Sequence, residues 1–543
     1  MDVTQLRAVW KQESESLKIL RGAGAIPSVR AIPALGWAGI RGGVAAAGEL
    51  LGIRHGDAVA LIDPRGALTY RQLGAASNSL INGLRTHLAP APRPTVGLMC
   101  RNSRYSLLCL FAVLGVGAKL VLLNTDMGPK QMAEVCRREK IDIVIYDAEF
   151  APAFAGLPEA VDRLIAWPAD GETSDIDRLI DSNPSRLPPR PAGSPSIVML
   201  TSGSSGTPKG ASRDSNSASE RPSLAMVAGF LQKIPLRGED RIFLAPPVFH
   251  GWGAIVAGSA LMLGATIVFD RRFDPQQALE LIVRHRCSAV ITVPTMLRRL
   301  MSLPSEQLAR IDRSALRIVG SGGAKLDTAL VRNVLDEFGP VMYNLYGATE
   351  ASFITIATPQ DLLAEPACSG SAPIGVRVKI LANGQSVAAG ERGDIYVGSA
   401  GTIATYTDST SKESVDGMIK TGDVGRLDAA GRLFIEGRSD GMIVSGGENV
   451  FPEELELVLA AHPDVADAKV VAVPDADFGQ RLRVFVVAAS GATISAEVLK
   501  DYVSQELSRS RVPRDVIEVP ELPRTATGKV TKATLETLAE IYA

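Results

Sequence analysis

Thr201-Ser202-Gly203-Ser204-Ser205-Gly206-Thr207-Pro208-Lys209-Gly210 is the stretch that decides how this chain is read. The apolar run Ile197 to Leu200 leads into it and predicts a short buried strand. The stretch itself combines glycines, hydroxyl side chains and one lysine. Glycine lets the backbone take positive φ and turn successive N–H groups toward one point. Hydroxyls donate to oxygens at that point, and Lys209 adds a mobile cation. Together these groups make a cradle for a polyphosphate.

A Walker A loop, G-x-x-x-x-G-K followed by Ser or Thr, does not fit. Thr207 and Pro208 separate Gly206 from Lys209, and Gly210 follows the lysine. A Walker loop also opens a helix at once, whereas Ala211 to Ser223 is polar, contains Pro222 and reads as further loop. A flexible Gly/Ser linker is the other alternative, and linkers seldom follow a buried strand so closely.

At 543 residues the chain exceeds a single ordinary core, so two or three domains are expected. Its 46% hydrophobic and 21% charged content is that of a soluble globular protein, and a net charge of −2 makes no case for nucleic acid as a partner. Cys100, Cys109, Cys136, Cys287 and Cys368 are scattered without paired spacing. They form no metal framework and suggest a reducing, cytoplasmic setting. Leu107 to Leu123 and Ala254 to Phe269 are apolar, but both are shorter than the roughly 20 residues of a spanning helix. Each reads as a buried helix followed by a buried strand. Met1 to Ser16 is polar and mixed in charge, without a secretory pattern.

Residues 17–48 carry Lys18, Arg21, Arg30 and Arg41 among Ile, Leu, Ala, Gly and Trp37, with no acid before Glu49. Two readings stay open here: an N-terminal arm packed on the main domain, or a segment in weak peripheral contact with an anionic membrane. From Ala58 onward strand and helix signals alternate. Strands are expected at Val59–Ile62, Thr95–Met99, Lys119–Leu123 and Ile141–Tyr146, with helices from Tyr70 to Leu88 and from Tyr105 to Gly115. Proline-rich Asn183 to Ser196 reads as an exposed connector. Beyond the loop the alternation resumes at Ile242–Ala245, Ala265–Phe269, Ala289–Val293 and Leu316–Val319. The pattern predicts an α/β fold whose large N-terminal domain has parallel-rich sheets with flanking helices. Around Val378 to Val397 the texture turns β-rich, with an Asn-Gly turn at Asn383-Gly384, and predicts a small β-barrel-like region. From about Asp440 a smaller α+β unit follows: helix Glu453–Ala461, strands Ala468–Val473 and Arg483–Ala488, then helices near Ala496–Leu507 and Lys532–Ile541. The expected division is an arm over 1–48, a large domain over 49–439 and a small mobile C-terminal domain over 440–543.

Further motifs accompany the loop. Tyr346-Gly347-Ala348-Thr349-Glu350 follows the strand-like Val341-Met342-Tyr343. Tyr346 offers a flat face for adenine, Thr349 a donor for an α-phosphate, and Glu350 a hard oxygen ligand suited to Mg2+. Gly320-Ser321-Gly322-Gly323-Ala324 follows another strand, where side-chain-free backbone admits a planar ligand closely. Lys420-Thr421-Gly422-Asp423 places one carboxylate in a tight turn. Pro246 to Gly253 contains His250 and Trp252, Gly437 to Asn449 is rich in glycine and charge, and Pro523 to Lys529 ends on a lysine after Gly528.

In content and order these motifs resemble the adenylate-forming superfamily, which comprises acyl-CoA synthetases, peptide-synthetase adenylation domains and luciferases. The resemblance spans residues from about 55 to about 535. It implies ATP and Mg2+ as cofactors, a carboxylic acid as substrate and coenzyme A as acceptor. By the same resemblance, Thr201, Ser202, Gly203, Ser204, Ser205, Gly206, Thr207 and Lys209 hold phosphates, while Gly322, Gly323 and Ala324 line adenine and the acyl group. Tyr346, Gly347 and Thr349 meet the nucleotide, and Glu350 holds the metal. Asp423 accepts both ribose hydroxyls and Arg438 reaches the nucleotide. By the resemblance His250 lies near the reacting carboxylate, and Trp252 beside it packs. Asp440 is the hinge, followed by Gly441 where many relatives carry a second acid. Ser445, Gly446 and Gly447 face coenzyme A, and Lys529 is the catalytic lysine.

The function implied is activation of a medium- or long-chain fatty acid to its acyl-adenylate, with release of pyrophosphate, then transfer to coenzyme A. A ligase delivering the acyl group to a carrier-protein phosphopantetheine, a ligase for an aryl or other carboxylate, and a nucleotide-binding pseudoenzyme are the alternatives.

Overall fold

The computed structural model describes residues 3–26, 32–88, 93–201, 209–214, 224–403, 405–407, 410–438, 442–489, 492–522 and 532–542. Three sheets build the larger part. In a six-stranded sheet, Asp162–Ile165, Ile143–Tyr146, Thr95–Met99, Lys119–Leu122 and Ser196–Thr201 run parallel, and Lys209–Asp214 closes one edge antiparallel. An eight-stranded sheet has a parallel middle of Met342–Ala348, Ile318–Gly322, Ala289–Thr292, Arg241–Leu244, Thr266–Val268 and Val59–Asp63. Its outer strands, Ser352–Ala357 and Gly66–Thr69, are antiparallel. Helices between successive strands cover the faces, so most strands are buried on both sides and read as continuous apolar runs.

Both long apolar runs resolve as expected. Helix Arg104–Gly115 leads into strand Lys119–Leu122, and helix Gly251–Leu263 into Thr266–Val268. Among the described residues no helix is long and apolar enough to cross a membrane. Thr69 caps helix Tyr70–His87 through a capping box with Gln72, which fixes where strand gives way to helix. The β-rich region is an antiparallel sheet in which Val376–Ala382, Gly393–Ser399, Met418–Leu427 and Leu433–Arg438 pair in succession. Asn383 and Gly384 both take positive φ, 52° and 76°, and make the tight hairpin that an Asn-Gly pair favours.

One expectation is corrected. Ala211 to Ser223 was expected to be loop, but Lys209–Asp214 is a strand paired residue for residue with Ser196–Thr201. An edge strand draws its backbone partners from its neighbour and needs no apolar alternation, so the polar Lys-Gly-Ala-Ser-Arg-Asp run carries no strand signal. The phosphate-loop segment thereby becomes the connection of a β-hairpin.

The C-terminal part has its own core. Val465–Asp475, Gly479–Ala488 and Asp515–Glu518 form a three-stranded sheet with helices Pro452–Ala460, Ala496–Glu506 and Lys532–Ile541. Leu455, Leu459, Val484, Leu499 and Val503 fill the space between them. Ahead of it, Ile443–Ser445 and Glu448–Val450 pair as a short hairpin turning at Gly446 and Gly447, both at positive φ. All five cysteines are unpaired and buried. Burial raises each thiol above its ordinary pKa, Cys136 and Cys287 to about 12.

Candidate active site

Parallel strands deliver their carboxyl ends to one edge of the sheet, where loops gather and ligands bind in open α/β folds. Strand Arg241–Leu244 runs there into Pro246 to His250, Ile318–Gly322 into Gly323 and Ala324, and Met342–Ala348 into Thr349 and Glu350. Gly322 lies opposite Leu345 in the ladder, so the glycine segment and the Tyr346 segment are neighbours. Gly323 takes φ +90°, which a side chain resists, and Gly347 meets a backbone that leaves a Cβ only 2.2 Å from the Ser352 carbonyl.

The residues expected to face a nucleotide form a linked group. Asp423 and Arg438 are cross-strand partners, and Arg438 Nη1 lies 2.9 Å from Asp423 Oδ1. The Tyr346 hydroxyl donates to Asp423 Oδ2, and Thr421 Oγ1 accepts from the Asp423 N–H at 3.0 Å. Burial, then the Asp423 charge, raise the Tyr346 phenol well above its ordinary pKa, so it stays a donor. Asp423 is thus held by two groups yet retains lone pairs for further donors.

Thr201 and Lys209 are paired across the hairpin that carries the glycine-rich loop. Thr407 N–H donates to the Gly210 carbonyl at 2.8 Å, and Thr407 Oγ1 reaches buried Glu139 at 2.9 Å. Lys209 Nζ lies 3.0 Å from Thr410 Oγ1 and 5.6 Å from the centre of the Tyr406 ring. The Tyr406 hydroxyl donates to Glu350 Oε1, on which Lys412 Nζ also bears at 3.5 Å. Lys209, Tyr406, Glu350 and Lys412 therefore form one chain of contacts. Among the described residues no cluster of three or more His, Cys, Asp or Glu could cage a metal. Mg2+ in nucleotide enzymes takes one or two carboxylates and completes its shell with phosphate oxygens and water. The single buried carboxylate of Glu350, within reach of the phosphate-loop hairpin, fits that donor set.

His250 stands at the start of helix Gly251–Leu263, and its Nε2 lies 3.4 Å from Glu448 Oε1 on the C-terminal hairpin. Burial pushes the imidazole pKa down, but Glu448, with Asp126 behind it, raises it overall. Burial pushes Glu448 up, while His250, Arg511 and Asn124 bring it below its ordinary value. The turn at Ser445, Gly446 and Gly447 immediately precedes this glutamate, so it comes against the larger part next to His250. Trp252 is buried, gives its indole N–H to the Thr292 carbonyl at 2.9 Å and packs on Gly320. Its place is structural.

Three contributors carry no signal in the sequence. Asn102 is buried, donates to the Leu244 and Pro246 carbonyls and accepts from Val248 N–H, fixing the segment that presents His250. Tyr406 and Lys412 reach Glu350 from a loop whose sequence is merely polar. Glu448 is an exception of a kind: it belongs to the glycine-rich motif, but only the fold gives it a partner. Ser202 to Pro208, Asp440, Gly441 and Lys529 lie outside the described residues.

The family described as AMP-binding enzyme matches residues 52–407, and the AMP-binding enzyme C-terminal domain matches residues 454–529. The feruloyl-CoA synthase of Amycolatopsis sp is 30% identical over 488 residues, covering 88% of this chain and 94% of that protein. The long-chain-fatty-acid–CoA ligase FadD13 of Mycobacterium tuberculosis is 28% identical, covering 86% and 92% respectively. Among solved structures, the amide bond synthetase McbA from Marinactinospora thermotolerans superposes with a TM-score of 0.80 at 29% identity, over 88% of this chain and 97% of that one.

Proposed function

Because the chain belongs to the AMP-binding enzyme family, we propose that it activates a medium- or long-chain fatty acid and passes the acyl group to coenzyme A. As a class it is an adenylate-forming acid–CoA ligase, dependent on ATP, Mg2+ and coenzyme A. The fatty-acid reading rests on one observation. Helix Gly251–Leu263, which begins beside His250, leaves Gly251 and Gly258 exposed and Ala254 and Ile255 half-buried on one face, and beside Gly258 there is open space. Small side chains at three of those positions, Gly251, Ala254 and Gly258, suit a narrow acyl groove leading away from the reacting carbon.

In this reading the chain divides into an arm over 1–48, a large domain over 49–439 and a small domain over 440–543 that swings about Asp440. Backbone and hydroxyls from Thr201 to Thr207, with Lys209, hold the β- and γ-phosphates. Tyr346, Gly347, Gly322, Gly323 and Ala324 enclose adenine, while Asp423 and Arg438 orient the ribose. Thr349 donates to the α-phosphate, and Glu350 holds Mg2+, which supplies charge neutralisation to the phosphates. The carboxylate oxygen attacks the α-phosphorus and pyrophosphate leaves. Lys529 bridges the two reacting groups while charge gathers on their oxygens. The thiol of coenzyme A then attacks the acyl carbon and AMP leaves, with Ser445, Gly446 and Gly447 against the site. The His250–Glu448 contact supports this second arrangement, since it seats that hairpin beside the carboxylate end of the site.

A second reading, an aryl acid as substrate, is favoured by the likeness to feruloyl-CoA synthase. ATP–pyrophosphate exchange with dodecanoate, hexadecanoate and ferulate, with and without coenzyme A, decides between them. The fatty acids should support exchange and yield acyl-CoA. Preferential activation of ferulate would replace the fatty-acid reading with the aryl one. Acyl-adenylate that accumulates under saturating coenzyme A would instead point to a carrier-protein acceptor.

A further inference from the structure

We propose that the N-terminal helical cap is a docking face for an anionic lipid bilayer. In helix Ile32–Gly42 the large apolar side chains of Trp37 and Ile40 point the wrong way for a packing element. Trp37 is 57% exposed and Ile40 80%, while Ala38 and Gly42 are buried. The turn that follows repeats the arrangement, with Val44 exposed and Ala45 and Ala46 buried. Ala38, Gly42, Ala45 and Ala46 thus pack inward, while Trp37, Ile40 and Val44 are left outside. Beyond the N-terminal region, exposed large apolar side chains such as Leu363, Leu457 and Val498 are scattered along the sequence.

The rim of this face is cationic. Arg41 shares the face of Trp37 and Ile40 and lies 5.3 Å from the centre of the Trp37 ring. The connector between Asn183 and Ser194 brings two more arginines. Arg190 N–H donates to the Arg41 carbonyl at 3.1 Å, and the Arg190 side chain lies against Gly43. Asn82 donates to the Pro184 and Arg186 carbonyls and Arg85 to the Pro189 carbonyl, so helix Tyr70–His87 holds the connector in place. Arg41, Arg186 and Arg190 are exposed, and none of them forms an ion pair with an acid among the described residues. No acid occurs between residues 17 and 48, and Glu49 just beyond is engaged by Asn78.

An exposed Trp and Ile ringed by arginines match the interface of a bilayer. The aromatic ring sits at headgroup level, the aliphatic chain reaches the acyl boundary, and the guanidinium groups meet lipid phosphates. A second copy of the chain fits worse, because a two-fold contact through this face sets arginines against arginines. The elements that build the face carry none of the residues assigned to catalysis, so docking and chemistry are separable.

The test uses the full chain with vesicles of phosphatidylcholine alone and vesicles containing about one-third phosphatidylglycerol. The protein should sediment with the anionic vesicles at low salt and be released as salt screens the headgroups. Two double variants, Trp37→Ser with Ile40→Ser and Arg41→Glu with Arg190→Glu, should each weaken partitioning about tenfold or more. Their thermal melting and their ATP–pyrophosphate exchange with a soluble acid such as octanoate should match the unaltered chain. Equal sedimentation of the unaltered chain and both variants overturns the proposal, as does equal binding to neutral vesicles. A dimer in solution that Trp37→Ser with Ile40→Ser dissolves, without vesicle binding, overturns it in favour of self-association.

Discussion

At the scale of single residues, His250 and Glu448 set a charged contact between the two parts of the chain. The His250 pKa is raised in the seated arrangement, so its contribution to seating is full below the ordinary histidine value and fades as pH climbs through the raised one. Glu448 is lowered, so its contribution is present above the ordinary glutamate value and disappears in acid. The pair therefore favours the seated hairpin between the ordinary glutamate range, about 4.3, and somewhat above the ordinary histidine value of about 6.5. Energy transfer between dyes on engineered surface cysteines of the two parts should report less seating as pH is raised from about 6 to about 9. In Glu448→Gln the imidazole loses its ionised partner, so seating should start from a smaller value and its fall with rising pH should be much reduced. An identical profile in the variant would leave the pair without a part in seating.

Among the elements, the start of helix Pro129–Glu139 is the place where the C-terminal part rests. Gly128 caps that helix with φ −73°, a conformation open to any residue. A Cβ there would lie 2.2 Å from the Leu507 carbonyl oxygen and 3.0 Å from that of Ser504, at the end of helix Ala496–Glu506. Beside it Arg509 N–H donates to the Asp126 carbonyl at 3.1 Å, and Lys130 pairs with Glu506. Gly128→Val should fold normally and form acyl-adenylate at the unaltered rate, yet transfer the acyl group to coenzyme A about tenfold more slowly or worse, since backbone carbonyls cannot turn aside. Equal loss in both half-reactions would remove Gly128 from seating.

The same scale shows what the sequence could convey. Strand Thr95–Met99 and helix Lys532–Ile541 were legible to the residue, because apolar periodicity and turn chemistry are local. Lys209–Asp214 was not, since its strandedness comes from its neighbour. At the site, glycine-rich and charged motifs announced themselves one by one. Tyr406 and Asn102 did not, for their value lies in partners 56 and 142 residues away and leaves no trace in the residues around them.

For the molecule as a whole, the proposal requires two arrangements of one small domain. In that proposal Lys529 serves only while the carboxylate attacks phosphorus, and the seated hairpin serves only afterwards. Lys529→Ala should slow adenylation by about 10²- to 10³-fold, the usual effect of losing one charge-stabilising donor. Supplied with pre-formed acyl-adenylate and coenzyme A, the same variant should make acyl-CoA at near the unaltered rate. Equal loss in both steps from a folded protein would sink the alternating mechanism. The buried cysteines acquire a meaning in this light. An acyl-adenylate is an acylating agent that any thiolate can intercept, and the reaction's purpose is to offer it to one thiol from outside. Every cysteine of the chain is enclosed, with burial holding its sulfur in the protonated, unreactive form at neutral pH. The enzyme is thereby chemically blind to its own intermediate's appetite for sulfur, and the activated acyl group meets no competing nucleophile of that kind within the protein that made it.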